Sequence, residues 1–347
     1  MLFHTLRKPV LSALTLGVTL VGLAGAAGAA DLLKLKLATA DTDINPTTDS
    51  VLKLAGKLGF FEKHGVEVEI VALEGTPQAV AALNSGAVDM ADISIDAAIR
   101  LRADSDLPIR GIVSGTLGAP FLIAAKAEIT SVEGLVGRSY AIADNGSLDH
   151  TLTQVVIASK GVAADGPSYV AIGAPAARVQ ALAAGKVDAT TVSYGTFLPI
   201  ADTPGIHILV SPEDFSAAAP GLSKFVAALD STIESKHEAL QRFVDALIDM
   251  SRAFEADPTQ WVDAVAAVRD DLKKENLQKT ADFLKGRWCV NGCLNPTEVE
   301  KTVTFIYSNP DFKDLKAVAA ADIVDHDFIV KAIETLGAYE TVGLDKR

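Results

Sequence analysis

Ser147, Asp149 and His150 fall close together in the segment NGSLDHTL, and a serine, a carboxylate and an imidazole so placed are the parts of a hydrolytic set. The same segment also reads as the start of a helix whose exposed N–H groups and polar side chains hold a ligand, and the second reading carries more weight. The chain has no Gly-x-Ser-x-Gly elbow, no phosphate-cradling Gly-rich loop ending in Lys-Ser/Thr, no Gly-x-Gly-x-x-Gly and no His-Glu-x-x-His. Asp322, Asp325, His326 and Asp327 form a second cluster, which reads as a solvated helix start or turn rather than a metal site. Cys289 and Cys293, in WCVNGCLNP, are a disulfide candidate around an Asn-Gly turn. A metal there would want two more ligands, and no histidine lies between Lys285 and Lys301. The expectation is a binding protein, not an enzyme, with no cofactor and no metal.

The elements that must position these side chains repeat. Residues Ala79 to Ser94 read AVAALNSGAVDMADIS and residues Arg178 to Ser193 read RVQALAAGKVDATTVS. Aligned without gaps, they share Val, Ala, Leu, Gly, Val, Asp and a final Ser. Each is a short apolar-periodic helix, a glycine suited to a left-handed C-terminal cap (Gly86, Gly185) and an alternating strand. Upstream of the first copy the pattern predicts a helix from about Ser50 to His64 and the strand VEVEIVAL; upstream of the second, a helix from about Leu148 to Lys160 and the strand PSYVAI. Each copy opens with a further strand, LKLKLAT or RSYAIAD. The order β-α-β-α-β therefore occurs twice, and each copy suits a parallel or mixed sheet covered by helices. SGTLGAPFLIAA (Ser114 to Ala125) and PGLSKFVAAL (Pro220 to Leu229) suit chain crossings between two lobes. From Pro220 onward a helical tail follows, with a stripe at Leu240, Phe243, Val244, Leu247 and Ile248, a break at Asp257-Pro258 and a helix around Trp261, Val265 and Val268, expected to pack on the outside of a lobe. The predicted organisation is α/β: residues 30–116 form the first part of lobe 1, residues 117–223 an inserted lobe 2, and residues 224–347 the rest of lobe 1.

In open α/β sheets ligands sit outside the carboxyl ends of the strands. Those ends, the expected walls of the cleft, supply the candidate binding residues: Asp41, Asp43, Glu74, Thr76, Ser94 and Asp96 from the first copy; Asn145, Ser147, His150, Ser193 and Tyr194 from the second; and Thr116 and Phe121 from the first crossing. Asp41, Asp43, Asp49, Glu74, Asp96, Asp144 and Asp149 lie in or beside these stretches, and Arg and Lys are absent from them. A buried anion wants a cation or several donors. The expected ligand is therefore neutral or cationic, a nitrogen-containing heterocycle or amine stacked on Tyr194 or Phe121 and hydrogen-bonded by Asp43, Ser94, Asp96, Asn145 and Ser147. For each residue alone, a helix cap or loop hydrogen bond is the competing explanation.

The N-terminus reads as an export signal: basic Arg7 and Lys8, an apolar stretch from Val10 to about Leu23, and a small-residue tail with Ala27 and Ala29 as the cleavage pair. The stretch is too short and Gly-rich for a membrane span. Cleavage near Ala29 (residues 1–29) removes two cations and takes the net charge from −13 to −15. A balance so acidic argues against nucleic acid and anionic membranes as partners. The mature chain, about 300 residues, exceeds one comfortable core, which agrees with two lobes.

LGFFEKHGVEVEIV, LNSGAVDMA, SVEGLVGRSYAIADNGS, ALAAGKVDAT and FVAALDSTIESKHEALQRFVDAL, in that order along nearly the whole mature chain, resemble the periplasmic nitrate-, sulfonate- and taurine-binding proteins of ABC importers, with their relatives that bind thiamine-pyrimidine precursors. The resemblance implies a type II periplasmic-binding-protein fold: two α/β lobes joined by two crossover strands, closing on one small-molecule solute that a membrane permease and ATPase then receive. It implies a periplasmic protein, expected to be a monomer. Sulfonate binders of this family often carry a tryptophan and a D-P-Y-like run after the V-D-A motif, where this chain has VDATTVSYGTF. The alternatives are a sulfonate- or nitrate-type anion binder of the same family, and an enzyme related to thiamine-pyrimidine synthesis, whose cysteine-rich, signal-less pattern this chain lacks.

Overall fold

Alternation in Leu33-Lys34-Leu35-Lys36-Leu37 turns Leu35 and Leu37 inward and the lysines to water, and this segment is the first strand. The computed structural model describes residues 1–2, 31–73, 75–118, 120–309 and 312–340. The export segment, its cleavage point near Ala29 and Glu74 lie outside the described residues.

Ten strands run β1 (Leu33–Thr39), β2 (Val66–Ala72), β3 (Met90–Ser94), β4 (Ile109–Val113), β5 (Phe121–Lys126), β6 (Ser139–Ile142), β7 (Ser168–Ala171), β8 (Ala189–Ser193), β9 (Ile206–Val210) and β10 (Lys224–Leu229). They form two sheets, β2-β1-β3-β10-β4 and β7-β6-β8-β5-β9. The half built on the first sheet is called lobe 1 and the half on the second lobe 2. The sheets match strand for strand. β1 is parallel to β2 and β3, as β6 is to β7 and β8. The strand arriving from the other lobe is antiparallel in each: β10 pairs Lys224 with Ser94, and β5 pairs Phe121 with Ser193. Each arriving strand also shifts register once against its outer neighbour. The chain thus crosses between sheets twice, at the two segments the sequence marks out.

The repeated helix-Gly-strand unit folds alike in both copies. Gly86 and Gly185 take φ of 72° and 68°, and the next residue reaches back across the last turn, Ala87 N–H to the Ala82 carbonyl and Lys186 N–H to that of Ala181. The first predicted helix is broken in two, Ser50–Lys57 and Phe60–Lys63, because Gly59 adopts φ 75° and stops the ladder.

The helical tail does more than cover lobe 1. Helix Asp230–Ala256 buries Leu240, Phe243, Val244, Leu247 and Ile248 in the lobe 1 core, and helix Pro258–Ala266 buries Trp261, whose indole N–H reaches Ser50 Oγ at 3.0 Å. Farther on the tail touches lobe 2. The Phe283 ring lies 5.8 Å from that of Tyr194, Lys273 pairs with Asp202, and Phe305 packs against both cores. The two helices that the sequence pattern marks thus pack on lobe 1 as expected, and the contacts with lobe 2 come from the tail beyond them. Cys289 and Cys293 are joined, and their loop is tied to the end of β4 by a bond from Ser114 N–H to the Gly292 carbonyl. Asp322, Asp325 and His326 sit at helix starts, where Asp322 and Asp325 accept nearby backbone N–H groups.

Candidate functional site

At each inner strand end the first amide of the following helix is bonded to the incoming crossing: Ile95 N–H to the Ser223 carbonyl (3.1 Å), and Tyr194 N–H to that of Pro120 (2.8 Å). Ser223 Oγ donates to the Gly118 carbonyl, tying the two crossings together. Beside them the lobes touch. The polar loop after β1 places Asn45 Nδ2 2.9 Å from Ser193 Oγ and 2.8 Å from Thr196 Oγ1, and Thr47 Oγ1 accepts the Gly195 N–H at 3.1 Å. A Cβ on Gly195 would lie 2.6 Å from Asn45 Oδ1, so glycine is what lets the lobe 1 loop seat here.

Three cavities surround this junction. An outer cleft of about 170 Å³ is lined by Asp41, Asp43, Asn45, Gln180, Thr196 and Arg269. Beside the first crossing, a cavity of about 20 Å³ is lined by Thr47, Ser50, Thr116, Phe283, Arg287 and Trp288. Beside the second, an apolar slot of about 40 Å³ lies among Asp96, Leu148, Thr151, Leu222, Phe305 and Phe312.

The cations missing from the wall segments arrive from neighbouring elements. Lys53, one turn into helix Ser50–Lys57, has its Nζ 2.7 Å from Asp49 Oδ2 and donates to the Asp41 and Asp43 carbonyls. Lys224, the first residue of β10, faces Asp92 across the sheet at 3.5 Å. In lobe 2 Arg178 bonds the Gly173 and Thr191 carbonyls and stands 3.7 Å from Asp149. Arg269 is shared between Asp271 and the Ile44 carbonyl. Burial pushes the Asp49 carboxyl up to about 7, against the pull of Lys53. Burial likewise raises Asp92, opposed by Lys224. Burial works against the Lys224 charge, but Asp92, Asp41 and Asp49 outweigh it and hold the ammonium above its ordinary range.

Of the predicted binding residues, Asp41, Asp43, Asp96, Thr116, Ser193 and Tyr194 meet at the junction or in its cavities. Ser94 is buried at the cap of helix Ile95–Ser105, and Thr76 is half-buried at the start of Thr76–Asn84. Phe121 is not a stacking platform: it belongs to the lobe 2 core, with its ring 5.9 Å from Phe215. Asn145 is exposed, and its N–H is spent on Asp144. Ser147 Oγ is bonded to Asp144 and Asp149, while His150 Nδ1 accepts the Gly146 N–H and its ring lies edge-on to Tyr169. The imidazole that a hydrolytic set would aim at Ser147 is thus turned to its own loop. Asn45, Thr47, Arg269, Phe283 and Arg287 are additions. The first two follow directly on the predicted Asp41 to Asp43 wall, in the polar run before Ser50. The other three come from the tail, where nothing in the helical pattern marks a side chain as facing a cleft.

Residues 50–261 match the family model described as NMT1/THI5 like. A Brucella abortus protein with the provisional name of a binding protein is 27% identical over 234 residues, 67% of this chain and 71% of the relative. Among solved structures, the ligand-binding component of an ABC-type import system from Staphylococcus aureus, with zinc bound, superposes with a TM-score of 0.70 at 17% identity, covering 86% of this chain and 99% of the other. The periplasmic aliphatic sulphonate binding protein SsuA from Escherichia coli gives 0.62 at 16% identity, over 86% and 99%. At such identities the likeness speaks for the fold, which is that of periplasmic binding proteins. Two sheets repeating one strand order, bridged twice and matched to the model over most of their length, make this chain a member of the NMT1/THI5-like family.

Proposed function

We propose that this protein is the periplasmic solute-binding subunit of an ABC importer, capturing a small organic molecule between its lobes and handing it to a membrane permease. The observation that carries this reading is the junction itself. Asn45 and Thr47 of one lobe bond Ser193, Gly195 and Thr196 of the other beside two crossings that can act as a hinge. The moving bodies are residues 30–116 with 224–347, and residues 117–223. The chain is exported, cleaved near Ala29 and works as a monomer. It is not an enzyme. The solute is neutral or cationic and contains nitrogen, because Lys53, Lys224, Arg178 and Arg269 are all committed to carboxylates or carbonyls of the protein.

A second reading, an oxyanion ligand, is favoured by one observation. Arg287 lines the cavity beside the first crossing, its guanidinium 4.5 Å from the centre of the Phe283 ring, with no ion pair among the described residues. A thermal-shift panel separates the two, since a ligand stabilises by mass action. Amines or heterocycles should raise Tm. Stabilisation by alkanesulfonates or nitrate alone would overturn the cationic reading. Capture itself is tested by small-angle scattering with and without saturating solute, where identical curves would count against lobe closure, and by native mass spectrometry of protein purified without denaturation, where a co-purified molecule released unchanged supports binding over catalysis.

A further inference from the structure

The loop that leaves β1 and the loop that leaves β6 stand at equivalent places in the two sheets but differ in reach. The first spans residues 40–49 before its helix begins, the second only residues 143–147. In lobe 2 the short loop is held by Asp149, which accepts the Ala143 N–H and the Ser147 hydroxyl. The longer loop of lobe 1 carries Asn45 and Thr47 across to Ser193, Gly195 and Thr196. In the gap-free alignment of the repeats Asp96 corresponds to Gly195, so lobe 2 receives that loop at a position without a side chain. A loop this long keeps one shape only where contacts offset its conformational entropy.

Lys53 supplies the central contact. Its side chain is 6% exposed, and its ammonium donates to the carbonyls of Asp41 and Asp43 at 2.6 and 2.5 Å while lying 2.7 Å from Asp49 Oδ2. Asp49 takes the other end of the loop, its Oδ1 accepting the Asn45 N–H at 2.7 Å. One buried ion pair thus grips the backbone at Asp41, Asp43 and Asn45, and the grip ends on the residue whose side chain spans the lobes. The remaining ties come from three other places: Ser50 holds the Pro46 carbonyl, Thr116 that of Thr48 and Arg269 that of Ile44. Resting on the solute-capture reading above, we propose that Lys53 and Asp49 are positioning residues for capture. They fix the backbone of residues 41–47 so that Asn45 and Thr47 clasp lobe 2, and the strength of that clasp sets how readily the lobes open to admit and release the solute. The pair acts on affinity through the fraction of molecules in each lobe arrangement, without touching the solute.

The test follows the lobes by single-molecule energy transfer between dyes on Glu62→Cys in lobe 1 and Lys160→Cys in lobe 2, two exposed positions, with no solute added. Asn45→Ala/Thr47→Ala should raise the open population about fivefold or more, the weight of one net hydrogen bond in an equilibrium. Asp49→Asn/Lys53→Met removes both charges together, strands neither, and should open the lobes by a similar factor. Added to Asn45→Ala/Thr47→Ala, the same charge-pair change should open them no further, because the clasp it acts through is already gone. If Asp49→Asn/Lys53→Met does not fold, Asp49→Asn alone, which weakens the hold of the lysine, should give the same pattern at smaller size. A pair that serves only the stability of lobe 1 would lower Tm and leave the open population unchanged, and that result overturns the proposal. An opening that adds in full to that of Asn45→Ala/Thr47→Ala also overturns it, as does an Asn45→Ala/Thr47→Ala variant that stays closed. The capture reading fails on a different measurement, a parent chain whose scattering no solute alters.

Discussion

The two lobes share one strand order and one register, but they bury different chemistry beneath the strand ends. Asp92 of β3 corresponds to Thr191 of β8, and Lys224, which opens β10, corresponds to Phe121, which opens β5. Lobe 1 therefore holds an ion pair between its inner strand and its arriving strand, with Asp49 and Lys53 nearby. Lobe 2 holds neutral hydroxyls instead: Thr191 Oγ1 lies 2.6 Å from both Tyr140 Oη and Thr153 Oγ1. One fold tolerates both solutions because each polar group has its partner. What differs is the consequence of losing a partner, since a stranded charge costs far more than a stranded hydroxyl.

Substitution at these equivalent places should break the apparent symmetry most sharply. Lys224→Met leaves Asp92 buried and unpaired and should cost about 3–5 kcal/mol, the range for removing one partner of a buried pair. Thr191→Val leaves Tyr140 and Thr153 each without one hydrogen bond and should cost about 1–2 kcal/mol. Urea melts of the two variants provide the comparison. Equal losses would mean that the ion pair of lobe 1 is no more demanding than the hydroxyls of lobe 2.

The second test uses pH, because the titrating groups in question belong to lobe 1. Asp49 titrates at about 7 in the folded chain against an ordinary 3.8, with burial as the main cause. The folded state then holds this proton more tightly than the unfolded state. Its contribution is fully present below 3.8 and is lost as pH rises through about 7. Asp92 shifts in the same direction. Stability should therefore fall between pH 4 and pH 7 by at most about 4 kcal/mol from Asp49. Asp49→Asn should flatten that fall while Thr191→Val leaves it unchanged. A slope identical in all three proteins would place the titration elsewhere.

The sequence discloses the repeat because both copies obey the same local rules: a 3.6-residue stripe, a glycine in the left-handed cap, then alternation. Gly86 and Gly185 announce themselves for that reason, and so do Ser94 and Ser193 at the strand ends. The site is less legible because it depends on long-range placement. Phe121 reads as a cleft aromatic from its position after a crossing, but β5 turns its ring into the lobe 2 core. Phe283 and Arg287 lie at the end of a tail helix and just beyond it, and their arrival at the junction depends on how the tail folds back. Lys53 and Lys224 are invisible to a charge count over the wall segments, since one comes from a helix and the other across a sheet.

The smallest expected effect tests the junction, where the comparison narrows to Gly195 against Asp96. An added methyl on Gly195 would meet Asn45 Oδ1 at 2.6 Å, Pro46 Cδ at 2.9 Å and Thr47 N at 3.0 Å. The last of these is backbone and cannot rotate away. Gly195→Ala should therefore cost the closed arrangement about 1 kcal/mol or somewhat more, and the unliganded chain should show a larger radius of gyration in scattering. Asp96→Ala, at the equivalent place, adds no atom against the facing lobe and should leave the scattering curve unchanged. If Gly195→Ala scatters like the parent, the contact of Asn45 and Thr47 with the end of β8 does not hold the lobes together. The burden of closure would then pass to the tail contacts of Phe283 and Lys273.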